Sequence, residues 1–147
     1  MTSKNISRMI EWKAQVKEQV SAEMTKTREK LAQETSRLEG MRLKLAENME
    51  TMDHIQSLES MDTGKLELLS NYMIYLDKRM KEQEKRIAEI EKEVDLKQSE
   101  LRNAYREERV LEILHSRISG EESKERRAAE QKETDFSAIR ARKTTGL

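Results

Sequence analysis

The chain has 147 residues, of which 39% are charged, 35% hydrophobic and 3% aromatic, and it holds neither Pro nor Cys. Lys and Arg balance Asp and Glu at 29 each, which argues against a nucleic-acid binder, because neutralising phosphates needs a clustered positive excess. The apolar mass is too small for a compact core but sufficient for helical seams, and without Cys there is no disulfide framework and no thiolate metal site.

No apolar run approaches the ~20 residues that span a bilayer, and Met1 to Ile10 lacks the apolar stretch of a secretory signal. The expectation is a soluble, cytoplasmic protein. Ser3, Asn5 and Ser7 are all N-cap candidates, since each side-chain oxygen can accept from a free backbone amide. From about Met9 the chain reads as helix. Met9 and Val16 are seven apart, and after Val20 the repeat is cleaner. Met24, Leu31, Leu38, Leu45 and Met52 form one heptad series, and Val20, Thr27, Glu34, Met41, Asn48 and Ile55 form the other. Thr27, Glu34 and Asn48 make this seam partly polar, and a buried Thr27 or Asn48 would fix register at a cost in stability.

The pattern fails between Leu58 and Lys65, where Ser60, Met61, Asp62, Thr63 and Gly64 are turn and capping types. Asp62 or Thr63 is placed to cap a second helix. From Leu66 to Ile118 that helix carries Leu66, Met73, Met80, Ile87, Val94 and Leu101 in one series. Leu69, Leu76, Ile90, Ala104, Leu111 and Ile118 occupy the other. A stripe this narrow needs a partner, and two helices joined by a short connection run antiparallel. Counting outward from the bend puts Leu45 near Asp77, Leu31 near Lys92 and Met9 near Leu114. Asp77 with Lys81, Glu82 with Arg86 and Glu93 with Lys97 have the favourable spacing for surface pairs, each worth a few tenths of a kcal/mol.

After Ile118 the seam stops, and Ser119 and Gly120 offer a break. From Glu121 to Arg142 the composition still favours helix, but apolar residues are few. This tail either projects as a single helix or is disordered. Phe136 and Ile139 form a small apolar spot beside Arg140, Arg142 and Lys143, which suits docking to a protein groove; the alternative is a frayed terminus. The expected fold is all-α: a long antiparallel two-helix coiled-coil hairpin over 1–118, bent near 59–65, with a polar helical or disordered C-terminal tail over 119–147.

Catalysis has no visible carrier, and no cofactor is expected. His54 and His115 stand alone near opposite ends of the hairpin, so a His-based zinc site is disfavoured. Two-helix geometry gives the many carboxylates no pocket for acid–base work, and there is no Gly-rich phosphate loop. Most of the nine Met residues sit on the seams and serve packing; Met61, and among the other apolar residues Ile74, are exceptions.

The second helix and tail carry a more specific signal. Asn71-Tyr72, Tyr75-Leu76, Glu82-Gln83, Ile87, Val94, Leu101, Ala104, Glu107, Val110-Leu111-Glu112 and Leu114 resemble the flagellar export FliJ family. Glu130-Gln131-Lys132 followed by Asp135 is similar to an element near the end of that family. The resemblance covers roughly Leu66 to Arg142. It implies a non-enzymatic hairpin similar to the central stalk of rotary ATPases. It also implies three partners in flagellar type III export: the hexameric export ATPase, the cytoplasmic domain of the membrane export gate, and export chaperones. Association with the inner face of the membrane would be peripheral, through these partners. The resemblance places the gate contact at Tyr72 and Leu76, with Arg79 and Gln83 at positions where the family carries small and His residues. A shift of one turn makes Tyr75 and Arg79 the exposed pair, because Leu76 and Gln83 fall on the seam. The tail residues Glu130, Gln131, Lys132, Asp135, Phe136 and Ile139 are the expected ATPase contacts. Two alternatives stay open: the equivalent stalk of a virulence type III secretion system, and a structural or chaperone-like hairpin with exposed apolar residues near its bend.

Overall fold

The computed structural model describes residues 2–60 and 62–144, so Met61 lies outside the described residues. Two helices, α1 (Ser3–Ser57) and α2 (Thr63–Thr144), pack against each other with no strand among the described residues. The cap of α1 is Thr2, one residue ahead of the three candidates: its hydroxyl oxygen accepts the Asn5 N–H at 3.3 Å. At the other end, Ser57 donates its hydroxyl to the His54 carbonyl at 2.7 Å, and the Leu58 N–H closes back on Ile55 at 3.3 Å. That tighter closure ends the α-helical ladder. Asp62 caps α2 as the sequence indicates, its side chain accepting the Lys65 N–H at 3.2 Å. Ser119 and Gly120 do not interrupt α2. A glycine costs about 1 kcal/mol in a helix interior, which a helix extending well to either side tolerates. Beyond Ser123 every described residue is exposed.

Packing divides the chain into two compact units, one formed by α1 up to Gln19 with α2 from Leu101 onward, the other by Val20–Glu100. In the second unit every position of both α1 heptad series is buried or half-buried, from Val20 to Ile55. So are Leu66, Leu69, Met73, Leu76, Met80, Ile87, Ile90 and Val94 of α2. Met24, Leu38, Leu76 and Ile90 are its most deeply buried apolar side chains. The helices run antiparallel: Glu23 meets Lys97, Glu34 meets Gln83, and Leu45 lines one groove with Asp77.

The first unit departs from the expected seam. Met9 is 41% exposed, whereas Ile6, three residues earlier, is fully buried. Carrying the heptads of α1 backward by sevens gives Lys13 and Ile6 in one series and Lys17, Ile10 and Ser3 in the other, and all five are buried or half-buried. Two of these positions are Lys, whose methylene stems cover the seam while their ammonium groups reach Glu107 and Glu108 of α2. Cross-helix partners likewise displace two of the three expected surface pairs. Asp77–Lys81 forms at 3.1 Å, but Lys97 turns to Glu23 and Glu100, and Arg86 turns to Glu34. Lys97 sits on the seam face of α2, so the opposite helix is nearer to its ammonium group than the outer surface is.

Candidate functional site

Exposed residues of α2 form stripes along the helix, and the seam beneath holds them in register. On α2 near the bend, Leu68, Tyr72, Tyr75 and Arg79 follow one another at helical spacing, so they share a face. Leu68 is 71% exposed and Tyr75 53%. The Tyr72 and Tyr75 rings stack at 6.2 Å between centroids, and the Arg79 guanidinium lies 5.9 Å over Tyr75. This arrangement presents an exposed aromatic–cation surface. Leu76 and Gln83, expected beside these residues, are buried at 4% and 8% exposure. They face α1 and are not part of the exposed stripe. Ile74 is exposed beside a separate groove lined by Leu45, Met49, Met52 and Met73.

In the tail, Glu130, Gln131, Lys132, Asp135, Phe136 and Ile139 are all exposed. Gln131 donates to Asp135 at 3.1 Å and the Arg140 guanidinium covers the Phe136 ring at 5.0 Å, both one helical turn apart. These local bonds order the side chains along the helix without hiding them. The result is an apolar spot, Phe136 and Ile139, at the acidic-to-basic crossover of the tail.

Gln83 has a different role. Its Nε2 donates to the Glu34 carbonyl at 2.8 Å and to the Glu34 carboxylate at 2.6 Å. Arg37 and Arg86 reach the same carboxylate at 3.5 Å. The hydrogen bond from Gln83 holds the Glu34 carboxyl below its ordinary range, against the opposing effect of burial, with Arg37, Arg86 and Lys30 adding attraction. Three further groups follow the same logic. Glu122 is lowered by its bonds from Ser3, Lys17 is raised by Glu108, and Lys97 is raised by Glu23 and Glu100. The position of Gln83 opposite Glu34 was within reach of the heptad count, since both occupy seam positions. The Glu122 bond was not, because it lies beyond the last apolar heptad residue.

The pH dependence follows from these directions. The two lowered carboxylates contribute fully above their ordinary value of 4.5 and lose that contribution as pH falls through the lower native value. The two raised lysines contribute fully below 10.5 and lose it only as pH rises through the higher native value. Thermal unfolding followed by circular dichroism should therefore show a flat midpoint from about pH 6 to pH 9 and a decline below about pH 4. A midpoint that climbs steadily across neutral pH would contradict this assignment.

The arrangement defines an all-α coiled-coil hairpin. Among the described residues no cluster of His, Asp and Glu is disposed to hold a metal ion, and no helix is long and apolar enough to cross a membrane. The family model described as Flagellar FliJ protein matches residues 3–145, and the chain belongs to this family of flagellar type III protein export. No curated protein and no solved structure matches the chain.

Proposed function

We propose that the protein is a stalk and adaptor that binds and regulates the hexameric export ATPase and contacts the export gate and export chaperones. Family membership supports the export role, and the observation that carries the finer reading is the exposed helix from Lys124 to Thr144. A helix extending past its partner can enter a ring and transmit the ring's asymmetry, and Phe136 and Ile139 supply apolar anchors for such a contact. On this reading 1–118 is the hairpin domain and 119–147 the ring-binding tail, with Glu130, Gln131, Lys132 and Asp135 beside the anchors. The gate contact is the stripe of Tyr72, Tyr75 and Arg79, with Leu76 and Gln83 supporting it from the seam. The chain has a regulatory role without catalysis of its own, and it sits at the inner face of the cell membrane through its partners.

The steady-state rate of the export ATPase tests this. The full chain should raise the rate under conditions where the ring assembles. A chain ending at Ser123, which retains Glu122, should lose the stimulation, and Phe136→Ala with Ile139→Ala should lose most of it, at least threefold. Equal stimulation by the truncated chain would remove the tail from the contact. A second reading, a hairpin that holds export clients at its bend, has support in Leu58 and Leu68, exposed at 48% and 71% beside a groove with Ile55 and Leu69. It predicts no effect on the ATPase and binding to unfolded export substrates that Leu68→Ser abolishes.

A further inference from the structure

The start of α1 is held on α2 by charged and polar rungs as well as by apolar packing. Among the described residues of this unit, Ile6 and Ala104 alone are deeply buried on the seam. Glu108, His115 and Glu122 continue the heptad series of Leu101, so the face that α1 covers becomes polar toward its end. Lys13 pairs with Glu107, and Lys17 pairs with Glu108 while lying 4.8 Å over the Tyr105 ring.

Glu122 makes the last of these contacts. One carboxylate oxygen accepts the Ser3 N–H at 3.0 Å and the other accepts the Ser3 hydroxyl. The first amides of a helix have no partner within it, and the helix dipole places partial positive charge there. Glu122 therefore caps α1 from the opposite helix, a second acceptor beside the local cap at Thr2. Arg126 and His115 on α2 act on the same carboxylate, and Lys4, Arg8 and Glu11 of α1 line the adjoining groove with Ser3, Ser7 and His115.

We propose that the first turns of α1, from Ser3 to Lys17, form a releasable strap latched by Glu122. Terminal helical turns without packing open at little cost in free energy, so release raises the exposure of the strap's amides. Release uncovers the half-buried Leu111, Leu114 and Ile118 of α2, which the strap otherwise shields. The rungs that hold the strap are partly open to solvent, so salt weakens them. This device stands apart from the identity of any partner.

Hydrogen exchange on the full chain, read by mass spectrometry, tests it. Peptides within 3–19 are compared with peptides within 20–57 for the wild type, Glu122→Gln and Glu122→Ala. Glu122→Ala should accelerate exchange in the strap by about tenfold, in line with loss of bonds to a charged acceptor, and leave the rest of α1 unchanged. Glu122→Gln still accepts from Ser3 but lacks the charge, and should fall between. Raising salt from about 50 mM to about 500 mM should loosen the strap of the wild type more than that of Glu122→Ala. Identical exchange in all three proteins would mean an ordinary frayed end and would overturn the latch. So would equal acceleration along the whole of α1, which would mean that the hairpin loosens as one.

Discussion

Ile90→Ala should lower the stability of the hairpin by about 3 kcal/mol, read as a fall in the urea midpoint at unchanged slope. Ile90 is 4% exposed on the seam face of α2. Its truncation removes the transfer free energy of three carbons and leaves a gap that two stiff helices close only in part. A large core can reach the upper end of the range for such changes, ~5 kcal/mol. A single seam lies nearer the middle, because water reaches the gap from either side. The loss still weighs heavily, since only six apolar side chains among the described residues are so deeply buried: Ile6, Met24, Leu38, Leu76, Ile90 and Ala104. Leu96→Ala provides the contrast. Leu96 lies six residues further along the same helix but is 59% exposed, and its truncation should cost less than about 0.5 kcal/mol. Equal losses at the two positions would mean that the heptad register assigned to α2 is wrong.

The seam between Val20 and Val94 was legible because most of its residues are apolar at a constant period, and that periodicity is what burial requires. The bend was legible because Asp62 is both a turn former and a cap. The first unit was harder to read. Its seam positions in α1 are Ser3, Ile6, Ile10, Lys13 and Lys17, and a hydrophobicity pattern gives no signal at a lysine that buries its stem and pairs its head. Met9 fits a seven-residue spacing with Val16 instead, yet it is 41% exposed. Tertiary pairing also overrode local spacing, as at Lys97, whose partners are Glu23 and Glu100 rather than Glu93. Among the gate-contact candidates the seam argument separated Leu76 and Gln83 from Tyr72, Tyr75 and Arg79, but the ring stacking that organises the exposed three depends on side-chain geometry that spacing does not carry.

Gln83→Leu should lower the thermal midpoint by roughly 5 °C, whereas Glu34→Leu with Gln83→Leu should raise it above that of the wild type. Among the described residues these two form the one seam layer in which both side chains are deeply buried and polar, at 5% and 8% exposure. Removing Gln83 alone strips the Glu34 carboxylate of its shortest bond, at 2.6 Å, and leaves it the longer contacts to Arg37 and Arg86 at 3.5 Å. A buried charge with poor partners is costly, while an apolar layer in place of both groups restores ordinary packing. The native pair therefore does not maximise stability. Its use is in register: a slip of one heptad would set apolar residue against apolar residue almost everywhere, but it would bring Glu34 against a side chain that cannot donate to it. Spin labels at the exposed positions Glu39 and Lys81 should give one sharp separation in the wild type and a broadened or double one in the Leu–Leu variant. A Leu–Leu variant less stable than the wild type would mean that the polar pair contributes net stability. A single sharp separation in that variant would mean that the bend alone fixes the register. If the pair does set it, Gln83 acts on the Tyr72–Tyr75–Arg79 stripe from beneath, by fixing where along α1 that stripe is held.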